Sequence, residues 1–325
     1  MKRIVIRTLG GKGIGYGHYY RCLSLARAMK LVEADIEIIF IINYDLEILI
    51  KNIEFDFIVH HTLREDYDVI SKLNIDLFIL DSYLADNNYL KRIKEQGKLM
   101  LVDDNNDIYD STIPDIIYNG NIHANDLGYA NIDGQLRLLG SKYLVMKEEY
   151  WNRKEGADTN KEGILITTGG TDEYGIILGM LQAMSSLDVK TQVILGPGFK
   201  KKYIIEIENI KKSSVELIYS PKSLKKYIYS SNIVITAGGS SVYEVLTQSS
   251  IPILFSIADN QDLICKKLGG LGIEYLGKYP DIDYTRLVKI IETPEYRKID
   301  FSDQIFKLVN GDGARLVAKT ILLEI

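Results

Sequence analysis

The stretch "GKGIGYGHYYRC", Gly11 to Cys22, places four glycines within seven residues directly in front of His18. Imidazole is the side chain best suited to accept a proton near neutral pH, so a histidine in such a loop is a candidate general base. Glycines there are costly unless the turn needs unusual dihedrals or a ligand must approach the backbone closely. Three further loops have a related make-up. "TTGGTDEYG" (Thr167 to Gly175) and "TAGGSSVYE" (Thr236 to Glu244) each follow an apolar run and lead into helical sequence. Free N–H groups at a helix start favour an anion such as a diphosphate. Ser240 or Ser241 can cap the second of these helices. Glu244, one turn in, either offers a carboxylate to the two vicinal hydroxyls of a ribose or complements the helix dipole. In "SIADNQD" (Ser256 to Asp262), Asn260 and Gln261 are candidates to bridge to a sugar or phosphate, the alternative being helix capping by Asp259 or Asn260.

Other motifs can be set aside. No G-x-G-x-x-G fits Gly10 to Gly17, and no phosphate-binding G-x-x-x-x-G-K-[ST] occurs. His18, His60, His61 and His123 have no metal-ligand spacing, and His60–His61 close a strand-like run as structural or surface residues. "VDDNND" (Val102 to Asp107) lacks the glycine and distal glutamate of a calcium loop and reads as a strand-end turn with carboxylates capping N–H groups. Cys22 and Cys265 form neither a disulfide framework nor a metal site.

The elements that must carry these loops follow from short runs of Val, Ile, Leu and Phe. "KRIVIRTL", "IEIIFIIN", "IDLFILDS", "KLMLVDD" and "DIIYN" are apolar nearly throughout, as parallel strands covered on both faces are. "YRCLSLARAMKLV" and "DNNYLKRIKEQG" between them carry helical spacing. After a polar, aperiodic stretch the alternation restarts with "GILITTGG", "TQVILGPG", "VELIYS", "SNIVITAGG" and "IPILFSI", and "GDGARLVAKTILLEI" reads as a terminal helix. Two βαβ series predict two doubly wound α/β domains, 1–147 and 161–325, joined by a linker at 148–160. In such sheets ligands sit beyond the carboxyl ends of the strands, where the glycine loops fall, and a cleft between the two domains is expected.

With 325 residues, 46% hydrophobic and 26% charged, the chain can bury two cores. Net charge is −5 with the signs interspersed, so no basic surface advertises nucleic acid. Apolar runs such as "IEIIFII" are too short to cross a bilayer, and the strand-like start at residue 2 leaves no room for a signal peptide. A soluble cytoplasmic protein without membrane insertion is expected.

Taken in order, these loops resemble the GT-B superfamily of nucleotide-sugar enzymes. The details are similar to the UDP-2,4-diacetamido-2,4,6-trideoxy-β-L-altropyranose hydrolases of pseudaminic acid biosynthesis and to the related spore-coat polysaccharide proteins. The carriers are "GYGHYYRCLSLA" (Gly15 to Ala26), "LDSY" (Leu80 to Tyr83), "LVDD" (Leu101 to Asp104), "PDIIYN" (Pro114 to Asn119), "YLVMKEEY" (Tyr143 to Tyr150), "TGGTD" (Thr168 to Asp172), "TAGGSSVYE", "DNQ" (Asp259 to Gln261) and "NGDGARLVA" (Asn310 to Ala318). They cover nearly the whole chain.

The resemblance implies a GT-B fold and metal-independent hydrolysis of a UDP-linked sugar without a cofactor. Water attacks C1, UDP leaves, and the anomeric configuration inverts. His18 matches the catalytic base, the alternative being a structural histidine that caps its helix. Asp81 and Tyr83 are expected to flank the sugar and orient His18 or the water; Asp81 is otherwise a strand-end cap. Gly15 and Gly17 fold the loop against the ligand. Arg21 pairs with a carboxylate such as Asp81, reaches a phosphate, or is a surface arginine. Gly170 and Thr171, with the Gly239 amide, Ser240 and Ser241, are expected near the diphosphate, Asp172 and Tyr243 among the substrate-binding residues, Glu244 at the ribose, Ile218 and Tyr219 at the uracil, and Asn260 and Gln261 at sugar or phosphate. "YSPKSLKK" departs from relatives that often show Asn-Met there, which bears on the base pocket. Two other readings use the same residues: a glycosyltransferase in which an acceptor hydroxyl replaces water, and a protein that binds nucleotide sugar without turnover.

Overall fold

The apolar runs form parallel strands because each is covered by helices on both faces. The computed structural model describes residues 1–11, 14–50, 54–60, 62–151, 161–293 and 308–325, without the side chains of 48–50. The chain divides into two units, Met1–Trp151 with Gly311–Ile325, and Asn152–Asn310.

In the first unit the strands are β1 (Lys2–Thr8), β2 (Ile36–Ile42), β3 (Asp56–Val59), β4 (Leu77–Asp81), β5 (Lys98–Val102), β6 (Ile116–Asn119) and β7 (Leu136–Leu139). They pair in parallel in the order β3-β2-β1-β4-β5-β6-β7. Between them run α1 (Gly17–Val32), α2 (Tyr44–Ile50), α3 (Leu63–Ile70) and α4 (Asn87–Lys94). Side chains alternate across a strand. Ile4, Ile6, Leu77 and Ile79 therefore pack with Leu25, Ala26 and Met29 of α1, while Val5, Phe78 and Leu80 pack with Leu90 and Ile93 of α4. The same parity puts Asp81, at the end of β4, on the α1 side. The chain steps outward from β1 to β3 and then returns to place β4 on the other flank of β1. That reversal is a topological switch point, the usual seat of a ligand in a doubly wound sheet. Thr8 and Asp81, the last residues of β1 and β4, are register partners there.

The second unit repeats the plan with β8 (Ile164–Thr167), α5 (Ile176–Ala183), β9 (Thr191–Leu195), α6 (Lys201–Ile210), β10 (Val215–Tyr219), α7 (Lys225–Ser230), β11 (Ile233–Ala237), α8 (Ser240–Thr247), β12 (Ile251–Ser256), α9 (Asp259–Gly269), β13 (Glu274–Lys278) and α10 (Tyr284–Glu292). Its strand order is β10-β9-β8-β11-β12-β13. The switch point lies between β8 and β11, where Thr167 pairs with Thr236. The two Gly-Gly loops leave the sheet at this point.

The expected division at 148–160 is corrected at two places. The last helix, α11 (Gly313–Glu324), belongs to the first unit. Ala314, Val317, Ala318, Ile321 and Leu322 complete the core against α1 and the sheet. A Cβ on Gly313 would stand 2.2 Å from the Leu144 carbonyl oxygen, and one on Gly311 2.4 Å from that of Tyr150, so only glycine permits this docking. Trp151, placed in the expected linker, is buried in the same core, with Nε1 donating to the Met146 carbonyl at 2.9 Å. Residues 148–151 of that linker belong to the first unit, and 152–160 lie outside the described residues. Among the described residues no helix is long and apolar enough to cross a membrane. Cys22 and Cys265 are buried, free thiols.

Candidate active site

The loop before His18 is closed by its own backbone. Gly11 N donates to Gly15 O at 3.0 Å and Gly15 N to Gly11 O at 2.8 Å. Gly15 has φ +80°, a left-handed conformation that L side chains avoid. Gly17 differs. Its φ is ordinary and a Cβ there would meet nothing within 4 Å, so nothing within the described chain demands glycine at the first residue of α1. Lys12 and Gly13 lie outside the described residues.

His18 and Arg21 are one helical turn apart on α1 and share its face toward β4. His18 Nδ1 lies 2.6 Å from Asp81 Oδ1. Arg21 grips the same carboxylate with two bonds, Nε to Oδ2 at 2.9 Å and Nη2 to Oδ1 at 2.8 Å. Its other edge holds Asp104, Nη1 to Oδ1 at 2.8 Å and Nη2 to Oδ2 at 3.2 Å. Tyr83 OH donates to Asp104 Oδ2, and its ring stands edge-on to the His18 imidazole at 4.8 Å and 86°. Cys22 Sγ donates to Asp81 Oδ2 at 3.4 Å. Asp81 is fully buried, while 12% of the His18 side chain is exposed.

Burial alone would raise the Asp81 carboxyl, but Arg21 and then His18 outweigh it and hold the group well below the usual carboxylate range. Asp104 is lowered in the same way, burial being overcome by Arg21. For Arg21, burial opposes the charge, yet Asp104 and Asp81 keep the guanidinium more firmly protonated than usual. Burial and then Asp104 push the Tyr83 phenol well above its ordinary value, so it is a neutral donor. An ionised Asp81 can only accept, so the proton between it and His18 belongs to Nδ1. The 3.3 Å approach of Arg21 Nη2 to Nδ1 is then proximity rather than a hydrogen bond, since Nη2 already donates to both carboxylates. With Nδ1 protonated, a neutral His18 carries its lone pair on Nε2, which makes no hydrogen bond among the described residues. An imidazole held this way by a carboxylate can accept a proton at Nε2.

Asp103 behaves as the strand-end turn predicts. Its Oδ1 accepts from the amides of Asn105 and Asn106, each at 3.2 Å, and its Oδ2 from Tyr129 OH at 2.9 Å. Asp104, read with it as a capping carboxylate, instead ion-pairs with Arg21 across 83 positions of sequence. His60 is buried and structural: its Nδ1 lies 2.6 Å from Asp66 Oδ1, and Arg7 Nε and Tyr89 OH also bond that carboxylate. His61 lies outside the described residues.

In the second unit the two Gly-Gly loops differ. The α5 start does not offer the free amides expected of it. Asp172 accepts from Ile176 N at 3.0 Å and Ile177 N at 2.9 Å, and from Tyr203 OH at 2.5 Å. Asp172 thus caps a helix and holds an anion's place. Gly170 O accepts from Gly198 N at 2.9 Å, and Thr171 O from Thr168 Oγ1 at 2.9 Å, so both residues also brace the loop. The α8 start is different. Gly239 is its N-cap and neither Ser240 nor Ser241 caps it with a side chain. A Cβ on Gly239 would meet nothing within 4 Å, whereas one on Gly238 would collide with Cys265 Sγ at 2.2 Å. Gly238 is there for packing against α9, and Gly239 is not.

The remaining expected residues fall in mixed surroundings. Glu244 is only 5% exposed, and Tyr243 is wholly buried in the helix packing. Ile218 is buried in the core, while Tyr219 is half exposed with its OH donating to Glu208 at 2.7 Å. Gln261 Oε1 accepts from Ile257 N at 3.0 Å, and Asn260 Oδ1 from Gln261 N at 2.9 Å, so both stabilise the start of α9.

No family model matches the chain. It is 28% identical over 262 residues to the uncharacterized protein MJ1062 of Methanocaldococcus jannaschii, a match that covers 75% of this chain but about half of that protein, 53%. It is 23% identical over 275 residues to the spore coat polysaccharide biosynthesis protein SpsG of Bacillus subtilis, covering 81% of this chain and 80% of SpsG. Among solved structures it is similar to MurG of Acinetobacter baumannii, with a TM-score of 0.71 at 11% identity over 99% of this chain and 100% of that one. UGT89C1 of Arabidopsis thaliana, solved with UDP, gives 0.68 at 10% identity over 100% and 99%. The UDP-GlcNAc 2-epimerase of Neisseria meningitidis, bound to UDP-GlcNAc, gives 0.64 at 12% identity over 99% and 100%. At such identities these likenesses establish the fold: two parallel-sheet Rossmann-like domains of the GT-B class, as the sequence predicts.

Proposed function

We propose that this chain is an enzyme that hydrolyses a nucleotide-linked sugar, a UDP-linked 2,4-diacetamido-2,4,6-trideoxy sugar, to the free sugar and UDP. The observation that carries the reading is the 2.6 Å contact of His18 Nδ1 with the ionised, buried Asp81, which leaves Nε2 as the basic atom. Nε2 takes a proton from water as its oxygen bonds to C1. The C1–O bond to phosphate breaks, UDP departs with the electron pair, and C1 inverts. Asp81 stabilises the imidazolium that forms, and Arg21 keeps Asp81 ionised. The α8 start binds the diphosphate through the amides and hydroxyls of Ser240 and Ser241, while Gly239, whose own N–H donates to the Ala237 carbonyl at 2.8 Å, lets the anion approach; this is supported by the helix N-terminus lacking a side-chain cap. Glu244 takes the ribose, Tyr219 lies beside the base, and Asn260 and Gln261 shape the adjoining loop. No metal or cofactor takes part. The similarity to SpsG supports a place in surface polysaccharide chemistry.

A glycosyltransferase is the second reading, favoured by the likeness of the fold to the calicheamicin glycosyltransferase CalG4. The same Nε2 would deprotonate an acceptor hydroxyl. Incubation with a panel of nucleotide sugars and no acceptor separates the readings. Free UDP with stoichiometric free sugar supports hydrolysis; turnover only with an added acceptor supports transfer; binding without release supports neither.

A further inference from the structure

Asp104, like Asp81, is a carboxylate of the site with both oxygens fully engaged. Its Oδ1 accepts from Arg21 Nη1 at 2.8 Å and Asn121 Nδ2 at 3.0 Å, and its Oδ2 accepts from Arg21 Nη2 at 3.2 Å and from Tyr83 OH. The donors come from α1, the loop after β4 and the loop after β6. The Asp104 backbone is held as well, its carbonyl accepting from Asn119 Nδ2 at 3.1 Å. Two donors on each oxygen leave no lone pair for a substrate or a catalytic proton. The two side chains that Asp104 fixes both touch His18's surroundings. Tyr83 abuts the imidazole edge-on, and Arg21 grips Asp81, the acceptor of the His18 Nδ1 proton.

We propose that Asp104 is a positioning residue for His18: by tying down the Tyr83 hydroxyl and the far edge of Arg21, it sets the orientation of the imidazole. The proposal rests on the reading of His18 as the catalytic base. It also changes the part expected of Tyr83, whose hydroxyl is committed to Asp104 and whose ring, not its proton, serves the site. Without Asp104 the Tyr83 side chain, 38% of whose residue surface is exposed, has no anchor at its tip. The imidazole then loses the wall that keeps Nε2 aligned, a misplacement that lowers turnover without removing a contact to bound substrate.

The test is a double-mutant cycle of Asp104→Asn and Tyr83→Phe, read by steady-state kinetics and by proton NMR of the His18 ring in the substrate-free protein. Each single variant is expected to lose about ten- to thirtyfold in kcat with KM changed less than about threefold. The double variant is expected to be no worse than Asp104→Asn alone, because both break one link. The ring-current shift that Tyr83 imposes on the His18 protons should collapse in Asp104→Asn. Losses that multiply in the double variant, or an Asp104→Asn protein with native kcat and an unmoved His18 spectrum, would overturn the proposal. Should Asp104→Asn fail to fold, Tyr83→Phe alone decides, since it breaks the same bond without uncovering a buried charge. The NMR arm needs no substrate. A collapsed His18 shift in a protein that releases nucleotide from no sugar nucleotide would sustain the role of Asp104 and reject the hydrolase reading.

Discussion

His18 Nδ1 sits 2.6 Å from Oδ1 of Asp81, a carboxylate with no exposed surface at the carboxyl end of β4. The pair spans the switch point of the first sheet, with the histidine on the helix that follows β1 and the aspartate closing the neighbouring strand. Asp81→Asn keeps the shape but replaces an obligate acceptor with a group that can also donate. The Nδ1 proton is then no longer specified. A loss of two to four decades in kcat is expected (about 10²–10⁴) with little change in KM. An Asn variant with native kcat would show that the contact is a strand-end cap and nothing more.

Gly17→Ala separates folding from function. The added methyl meets nothing and φ is ordinary, so unfolding free energy should stay level or rise by about 0.4–1 kcal/mol. If a sugar or phosphate approaches this backbone, turnover or affinity should nevertheless fall by about tenfold or more. Urea unfolding and steady-state kinetics on the same preparation check both halves. Unchanged kinetics would remove the loop from the binding surface.

Gly239→Ala makes the equivalent case for the second unit. Nothing in the described chain crowds a Cβ there, so the fold should persist. A methyl at the N-cap of α8 would obstruct an anion seated on the helix amides. UDP affinity should drop about tenfold by calorimetry, and Gly170→Ala should matter less, because the α5 start is already capped by Asp172. The reverse ranking would move the diphosphate to the other loop.

The carboxylate cluster predicts how stability depends on acid. Asp104 has its folded pKa below the ordinary value. Its stabilisation is therefore complete above the unfolded carboxylate range, and it is lost as pH falls through the folded value. Asp104→Asn should cost about 1–3 kcal/mol at neutral pH, with the gap to the native protein narrowing as pH drops below about 4. Urea titrations at several pH values test the sign. A gap that widens in acid would mean that Asp104 is protonated in the folded state.

Much of the fold is legible locally because short, fully apolar runs such as "IVI" in β1 and "LFIL" in β4, set between longer amphipathic stretches, read as covered parallel strands. β3 and β7 are not legible. "DFIV" is only four residues long, and "LRLL" carries an arginine on a strand that has one neighbour. The docking of α11 is invisible for another reason. It depends on two glycines passing within van der Waals distance of carbonyls some 160 positions earlier, and no periodicity reports that. In the site, His18 stands out because a glycine loop marks it, whereas Asp81 is singled out only by the resemblance of "LDSY", its strand-end position alone reading as a cap. Asp104 does not, since "VDDNND" looks like any turn until Arg21 reaches across to it. Asp172 had a local signal that the motif obscured: it stands four residues before Ile176, within capping reach of the α5 amides, and its commitment there follows from that spacing.

The most direct measurement is nucleotide release by His18→Ala under single-turnover conditions, without acceptor, beside its affinity for UDP. A general base lost from the site should slow release by about 10²–10⁴ while UDP affinity stays within a few-fold of native. Native release by the variant would contradict the account at its centre, because no other residue has been given the proton of the attacking water.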